Sequence, residues 1–302
     1  MKTKKLLTSG TITALITSAS ASVTIDWVSV GNAGNAADPL TGYGAVAYEY
    51  KIGKYEVTNA QYGAFLNATA KTDSHGLYNS SMSSYGISRS GSSGNYTYTV
   101  TTALANRPVV YVSWFDAARF ANWLVNGQSA GSTETGAYTL NGATSGIILA
   151  NAGAQVYIPT ENEWYKAAYY NATIQTYSLY PNGQNSITTS DANYSRSVGS
   201  ATDVGSYSND PSSYGTFDQG GNLSEWFDEY YLKSGGNPGQ QGARGGNWKT
   251  WSDSLSSSGG VSSLNPYLEN EVVGFRIAAV PEPRAMVLTM LFGGLMLINR
   301  KR

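Results

Sequence analysis

The run Asp218-Gln219-Gly220-Gly221-Asn222-Leu223-Ser224-Glu225-Trp226 sets two carboxylates around an adjacent pair of glycines and ends on a tryptophan. Glycine lets a backbone fold back where a Cβ would clash, so the segment reads as a tight turn. Downstream, Arg244-Gly245-Gly246-Asn247-Trp248 and Gly274-Phe275-Arg276 place arginines beside glycines inside apolar strands. Such arginines are at least partly buried and need a carboxylate or carbonyl partner. Glu225 and Asp228 are the candidate partners, and structural pairing is the preferred role over ligand binding.

Working toward the amino terminus, three segments carry one helix-start signature: Thr58 with Gln61, Ser113 with Asp116, and Thr160 with Glu163. In a capping box the hydroxyl accepts from the third helical amide while the later side chain reaches back to the cap's amide. Each is followed by apolar residues at helical spacing: Tyr62, Phe65 and Leu66; Trp114, Ala117, Ala118, Ala121 and Leu124; Trp164, Ala167 and Ala168. The spacing predicts three short amphipathic helices. Strands are expected at Tyr48 to Lys54, Pro108 to Val112 and Val272 to Ala278. Thr72 to Asn95 is almost all Ser, Gly, Tyr and Asn, which predicts a mobile surface insertion with nothing to bury. No repeat of fixed period stands out.

The ends differ from the body. Lys2, Lys4 and Lys5 precede a mildly apolar stretch, Leu6 to Ile16, and then Ala19-Ser20-Ala21, so residues 1–21 read as a secretory signal, with a plain tail as the alternative. At the other end Val280-Pro281-Glu282-Pro283 precedes an apolar run of roughly 14 residues, Ala285 to Ile298, and a basic terminus, Arg300-Lys301-Arg302. Of the 19 basic residues three lie in 1–21 and four in 281–302, against one of the 20 acidic residues, leaving 12 basic and 19 acidic between. That negative balance argues against nucleic acid and anionic lipid as partners. The composition favours short strands and many loops, and a chain with no cysteine has no disulfide staples.

Over roughly Tyr50 to Ala278 the chain resembles the sulfatase-modifying factor, or formylglycine-generating enzyme, domain family. The opening motif is Lys54-Tyr55-Glu56-Val57-Thr58-Asn59 with Gln61-Tyr62 and Phe65-Leu66. Pro108-Val109-Val110 with Val112-Ser113-Trp114 and Pro159-Thr160-Glu161 with Glu163-Trp164 follow, and the two arginine-glycine motifs close the set. The resemblance implies an α+β domain of C-type lectin-like kind over residues 22–279, with much irregular structure. Residues 280–302 resemble the PEP-CTERM sorting signal of Gram-negative bacteria, which implies exosortase and the secretion machinery as partners and transient insertion in the inner membrane. A plain carboxy-terminal anchor is the alternative. Either implies export to periplasm, cell surface or extracellular matrix.

The departures bear most on function. In catalytic relatives two cysteines after the Arg-Gly-Gly motif bind copper(I), which activates dioxygen; by position Thr250 and Leu255 stand there instead. Copper(I) wants thiolate or thioether ligands, and Met82 is the one methionine between the two end segments. Neither copper nor iron is expected: a facial iron triad needs two histidines, and the single His75 reads as a solvated loop residue. Tyr157, Asn182 and the serines from Ser256 to Ser258 also depart from the family pattern, which weakens the expectation of its substrate-peptide groove.

What the resemblance leaves is calcium. Carried over by position, Asp218 and Glu225 side chains with the carbonyls of Gly221 and Leu223 would wrap one ion, against the alternative of a metal-free turn; Asn193 and Tyr194 with a later acid such as Asp203 would hold a second. Trp248, Trp251 and Tyr267 near the former active face could bind extracellular polysaccharide or peptide; the alternative is that Trp248 and Trp251 are simply core residues on either side of a strand. A binding or structural role leads; a divergent enzyme using Asp253, Glu269 or Glu271 in the same cleft is the alternative.

Overall fold

The three capping boxes form as the sequence predicts. This computed structural model describes residues 22–230 and 239–280, and its helices α1 (Asn59–Thr69), α2 (Trp114–Val125) and α3 (Glu161–Tyr169) start at Thr58, Ser113 and Thr160 with reciprocal side-chain and backbone bonds. The proposed signal and all but the first residue of the proposed sorting segment lie outside the described residues. Among the described residues no helix is long and apolar enough to cross a membrane.

The strands are short: β1 (Trp27–Val30), β2 (Tyr50–Gly53), β3 (Ile87–Ser90), β4 (Thr97–Val100), β5 (Val156–Tyr157), β6 (Tyr170–Asn171), β7 (Thr176–Tyr177), β8 (Ser224–Tyr230), β9 (Gln241–Arg244), β10 (Ser262–Leu264), β11 (Val273–Phe275) and β12 (Ala278–Ala279). Two four-stranded sheets organise them, in orders β1-β2-β12-β5 and β10-β9-β8-β11, with hairpins β3-β4 and β6-β7 beside them. The pairing β8-β11 is parallel and the others are antiparallel. This is the α+β architecture that the composition and the resemblance imply.

α2 runs through the core. Trp114, Phe115, Phe120 and Trp123 are buried together with its three alanines, and even Arg119 and Asn122 are shut off from solvent. A helix occluded on every side must satisfy its polar side chains internally. Arg119 does so in part, on Glu134, with Nε–Oε1 at 2.7 Å, and on the Ala143 carbonyl, while its Nη1 and the indole N–H groups of Trp114 and Trp123 are buried without a partner. Asn122 donates to the carbonyls of Thr133 and Tyr138 and accepts from the Tyr138 amide, which pins the following loop to the helix. Against this helix pack Tyr62 of α1, stacked on Phe120, and Phe65 of α1 and Phe275 of β11, in tilted and edge-to-face ring pairs.

Three expectations need correction. Thr72 to Asn95 is not an empty insertion: Leu77, Met82 and Ile87 are buried in the main core, and the segment holds a 3-10 turn (Ser80–Ser84) and β3. Sparse apolar residues sufficed because each lands on the inner side. Pro108 to Val112 forms no strand beyond an isolated bridge between Thr58 and Pro108. Val272 to Ala278 is two strands, since β11 pairs with β8 and β12 with β2 and β5, and the chain changes sheets at Arg276.

Burial shapes the acid-base behaviour of this core. It raises Asp116 and Asp228 from the ordinary 3.8 to about 7, and Glu229, buried and then repelled by Glu161, from 4.5 to about 7. The folded chain therefore keeps protons that the unfolded chain releases between about pH 4 and pH 7. Glu134 and Glu271 are held below their ordinary values, so their contribution is lost only under more acidic conditions. Thermal stability should fall as pH rises from 5 to 7.5, and Asp116→Asn should flatten part of that slope; melting curves across this range check it, and stability rising with pH would contradict it.

Candidate functional site

The turn before β8 is held in conformations L-residues seldom adopt: Asp218, Gly221 and Asn222 have φ of 61, 87 and 52°. A Cβ on Gly221 would lie 2.4 Å from the Asn193 carbonyl oxygen, so glycine there is a requirement of close approach. Asn222 is the hub of the turn. Its amide donates to the Asn193 carbonyl at 2.8 Å, its Oδ1 accepts from the Thr202 amide, and its Nδ2 donates to Glu56 Oε1 at 3.1 Å.

Glu225, one strand residue into β8, has no solvent exposure. Arg276 grips it through Nε to Oε2 and through Nη2 to Oε1 at 2.6 Å, and Trp164 Nε1 donates to Oε2 at 2.8 Å. The remaining guanidinium donors reach the carbonyls of Gly53, Lys54 and Phe217. The expected pairing of Arg276 with Glu225 is therefore present. Arg244 takes neither expected partner: it binds Glu161, with Nε–Oε1 at 2.6 Å, and lies over the rings of Tyr43 and Tyr165. Asp228 points elsewhere, toward Tyr138 and Ala150, because alternate β8 residues face opposite sides of the sheet.

Asp218 accepts the Gly205 amide at 2.6 Å, and burial raises it from 3.8 to about 6. Glu56 is pushed well above the carboxylate range by burial, then by Asp218 and Glu225, with Arg276 opposing. Two buried acids, Glu56 and Glu225, and the partly exposed Asp218 thus lie around one guanidinium. Asn193 adds a carbonyl oxygen, Oδ1, that is buried and lacks any hydrogen-bond partner. Among the described residues no three His, Asp or Glu side chains converge to hold a metal by themselves, so any ion here would draw on carbonyls. Asp203, the acid considered for a second ion, is half exposed and lies 4.0 Å from Arg107 Nε.

Beyond β9 lie Thr250 and Leu255, the two positions singled out by the sequence resemblance. A Cβ on Gly246 would sit 2.7 Å from Thr250 Oγ1 and 2.8 Å from Leu255 Cδ1, so the two side chains lie side by side against this glycine. Each has a local task. Thr250 Oγ1 accepts the Asn247 amide and donates to the Asn247 carbonyl, while Leu255 is buried with Tyr180, Ala192 and Tyr194, its carbonyl accepting from Tyr169 Oη. Trp248 is half-buried beneath Lys249, which pairs with Glu271. Trp251 is 74% exposed and Tyr267 60% exposed, and neither is a core residue flanking a strand. An open depression of about 370 Å³, which the chain enters two residues after Trp251, is lined by Tyr180, Asp253, Ser254, Ser256 and Ser258.

The three acids considered for catalysis are not brought together. Asp253 lines that depression, Glu271 is tied to Lys249, and Glu269 accepts from Asn79 Nδ2 at 2.5 Å. His75 sits in its loop, half-buried, 3.4 Å from Glu134. Sequence reading passed over Glu56, Glu161 and Asn222 as functional positions. The available signal was an acid embedded in the apolar motif Tyr55-Glu56-Val57, which is costly unless paired.

A family model for the sulfatase-modifying factor enzyme 1-like (FGE-sulfatase) domain matches residues 28–280. A search of curated proteins finds no match. Among solved structures, variable protein 1 of Treponema denticola superposes with a TM-score of 0.61 at 20% identity, covering 87% of this chain and 98% of that one. CarF gives 0.59 at 24% identity, covering 86% and 99%, and PvdO from Pseudomonas aeruginosa gives 0.51 at 17%, covering 84% and 94%. At such identities these similarities speak to the fold alone. The matched region takes in the motifs from Lys54 to Arg276, and the chain belongs to the sulfatase-modifying factor enzyme 1-like domain family.

Proposed function

We propose that this is an exported binding domain that keeps its family's fold and has given up the copper oxidase centre. One observation carries the reading: the two thiolate positions are filled by Thr250, used in a local turn, and Leu255, used in an apolar cluster, in a chain with no cysteine. A hydroxyl and an alkyl group do not hold copper(I). No oxidation step is therefore derived for these residues.

Export rests on residues 1–21 and on the Pro281-Glu282-Pro283 segment with its apolar run and basic end, which suit exosortase sorting to the cell surface or matrix. The ligand favoured is an extracellular polysaccharide. Trp251 offers an exposed flat apolar ring, and the depression that begins two residues later in the chain offers hydroxyl and carboxylate groups, the two kinds of contact a sugar makes. A divergent enzyme is the weaker reading, because Asp253, Glu269 and Glu271 lie apart.

Calcium remains the proposed structural ion. Its support is the excess of buried carboxylates over guanidinium around Asp218 and the unpartnered Asn193 Oδ1, both suited to a hard cation. Glu225 is already engaged by Arg276 and Trp164, so Asp218 with the carbonyls of Gly221 and Leu223 would carry the first site. Asn193 and the Tyr194 carbonyl would carry the second.

Two measurements test this reading. Metal analysis of the purified protein should find calcium and no copper after copper(I) loading and dialysis, whereas Thr250→Cys/Leu255→Cys should retain about one copper, since thiolates are its preferred ligands; copper retained by the native chain, with dioxygen-dependent oxidation of a cysteine peptide, would overturn it. Trp251→Ala should weaken polysaccharide binding about tenfold with an unchanged melting temperature, as the ring is mostly in solvent. Unchanged binding would remove Trp251 from the site.

A further inference from the structure

We propose that an apolar cavity walled by Tyr85, Leu104, Pro108, Val110 and Ala201 binds a carboxylate-bearing ligand through Arg107. Its volume is about 250 Å³, below the roughly 300–1,000 Å³ of drug-sized sites, so it takes one ring or one side chain. It shares no residue with the serine-lined depression that follows Trp251 in the chain and does not depend on polysaccharide binding there.

Arg107 is under-partnered for its position. Nη1 reaches Ser200 Oγ at a long 3.3 Å, and Nε is buried with no hydrogen-bond acceptor, its nearest carboxylate being Asp203 at 4.0 Å. The side chain is 35% exposed, so the outer end of the guanidinium stays open to water and to a ligand. A guanidinium presents five donors, and donors left unmet beside apolar walls are costly. The other charged wall residue, Glu271, is neutralised by Lys249, so the cavity is left with one open positive group.

The chemistry that fits is a single planar anion on an apolar body. Two parallel N–H groups match a carboxylate in bidentate fashion, and the walls accept an alkyl or aromatic group. The arginine is also fixed in place: its amide donates to the Leu104 carbonyl at 3.2 Å, its carbonyl accepts from Asn59 at 2.9 Å, and Pro108 follows it. Asp203, half exposed and at 4.0 Å, is a weak competitor that a bound carboxylate would displace. Such a ligand could be a free aromatic acid or the carboxyl terminus of a peptide ending in an apolar residue.

Calorimetric titration of the purified protein with phenylacetate, with a tripeptide ending in leucine carboxylate, and with its leucine-amide analogue tests the proposal. Binding of either acid supports it and names the source, and the amide should bind at least tenfold more weakly. Arg107→Gln should lose about tenfold or more in affinity with an unchanged melting temperature, and Asp203→Asn should tighten binding a few fold. Equal binding of acid and amide, undiminished binding to Arg107→Gln, or no binding of either acid would overturn it, and none of these outcomes bears on Trp251.

Discussion

Arg276 holding Glu225 in a fully buried pair is the contact on which the architecture turns. Arg276 sits at the residue where the chain leaves one sheet for the other, so its guanidinium reaches Glu225 of β8 in one and the Gly53 carbonyl of β2 in the other. Trp164 of α3 closes the same carboxylate, bringing the third helix to this junction. Two charges removed from water repay their desolvation only when every donor and lone pair is met, and here five donors find acceptors. That requirement fixes the relative placement of β8, β11, β12 and α3, and with them the turn at Asp218.

This junction involves no thiolate. Thr250 and Leu255 stand together against Gly246, where the threonine closes a turn and the leucine fills an apolar gap. Close by in the chain are the exposed Trp251 and the serine-lined depression that starts at Asp253.

Much of this was legible in the residues. Capping boxes at Thr58, Ser113 and Thr160 are local, so three hydroxyl-acceptor pairs sufficed to place three helices. The Arg276–Glu225 pair was within reach because both residues sit in glycine-flanked apolar motifs. Non-local choices were hidden. Nothing near Arg244 shows that its partner is Glu161, which lies 83 positions earlier, and nothing in Val272 to Ala278 announces a change of sheet at its middle. The polar Thr72–Asn95 segment misled because composition averages over Leu77, Met82 and Ile87, which contribute to the core out of proportion to their number. Exposure of Trp251 was equally invisible, since a tryptophan in a serine-rich stretch suits core and surface alike.

One buried ion pair sets the junction between the sheets. A double-mutant cycle on Arg276→Met and Glu225→Leu, read by denaturant unfolding, measures its coupling. Each single change should cost about 3–5 kcal/mol by stranding the other charge, and the double change should cost less than the two combined by about 2 kcal/mol or more. Strict additivity, or single changes of under about 1 kcal/mol, would contradict it.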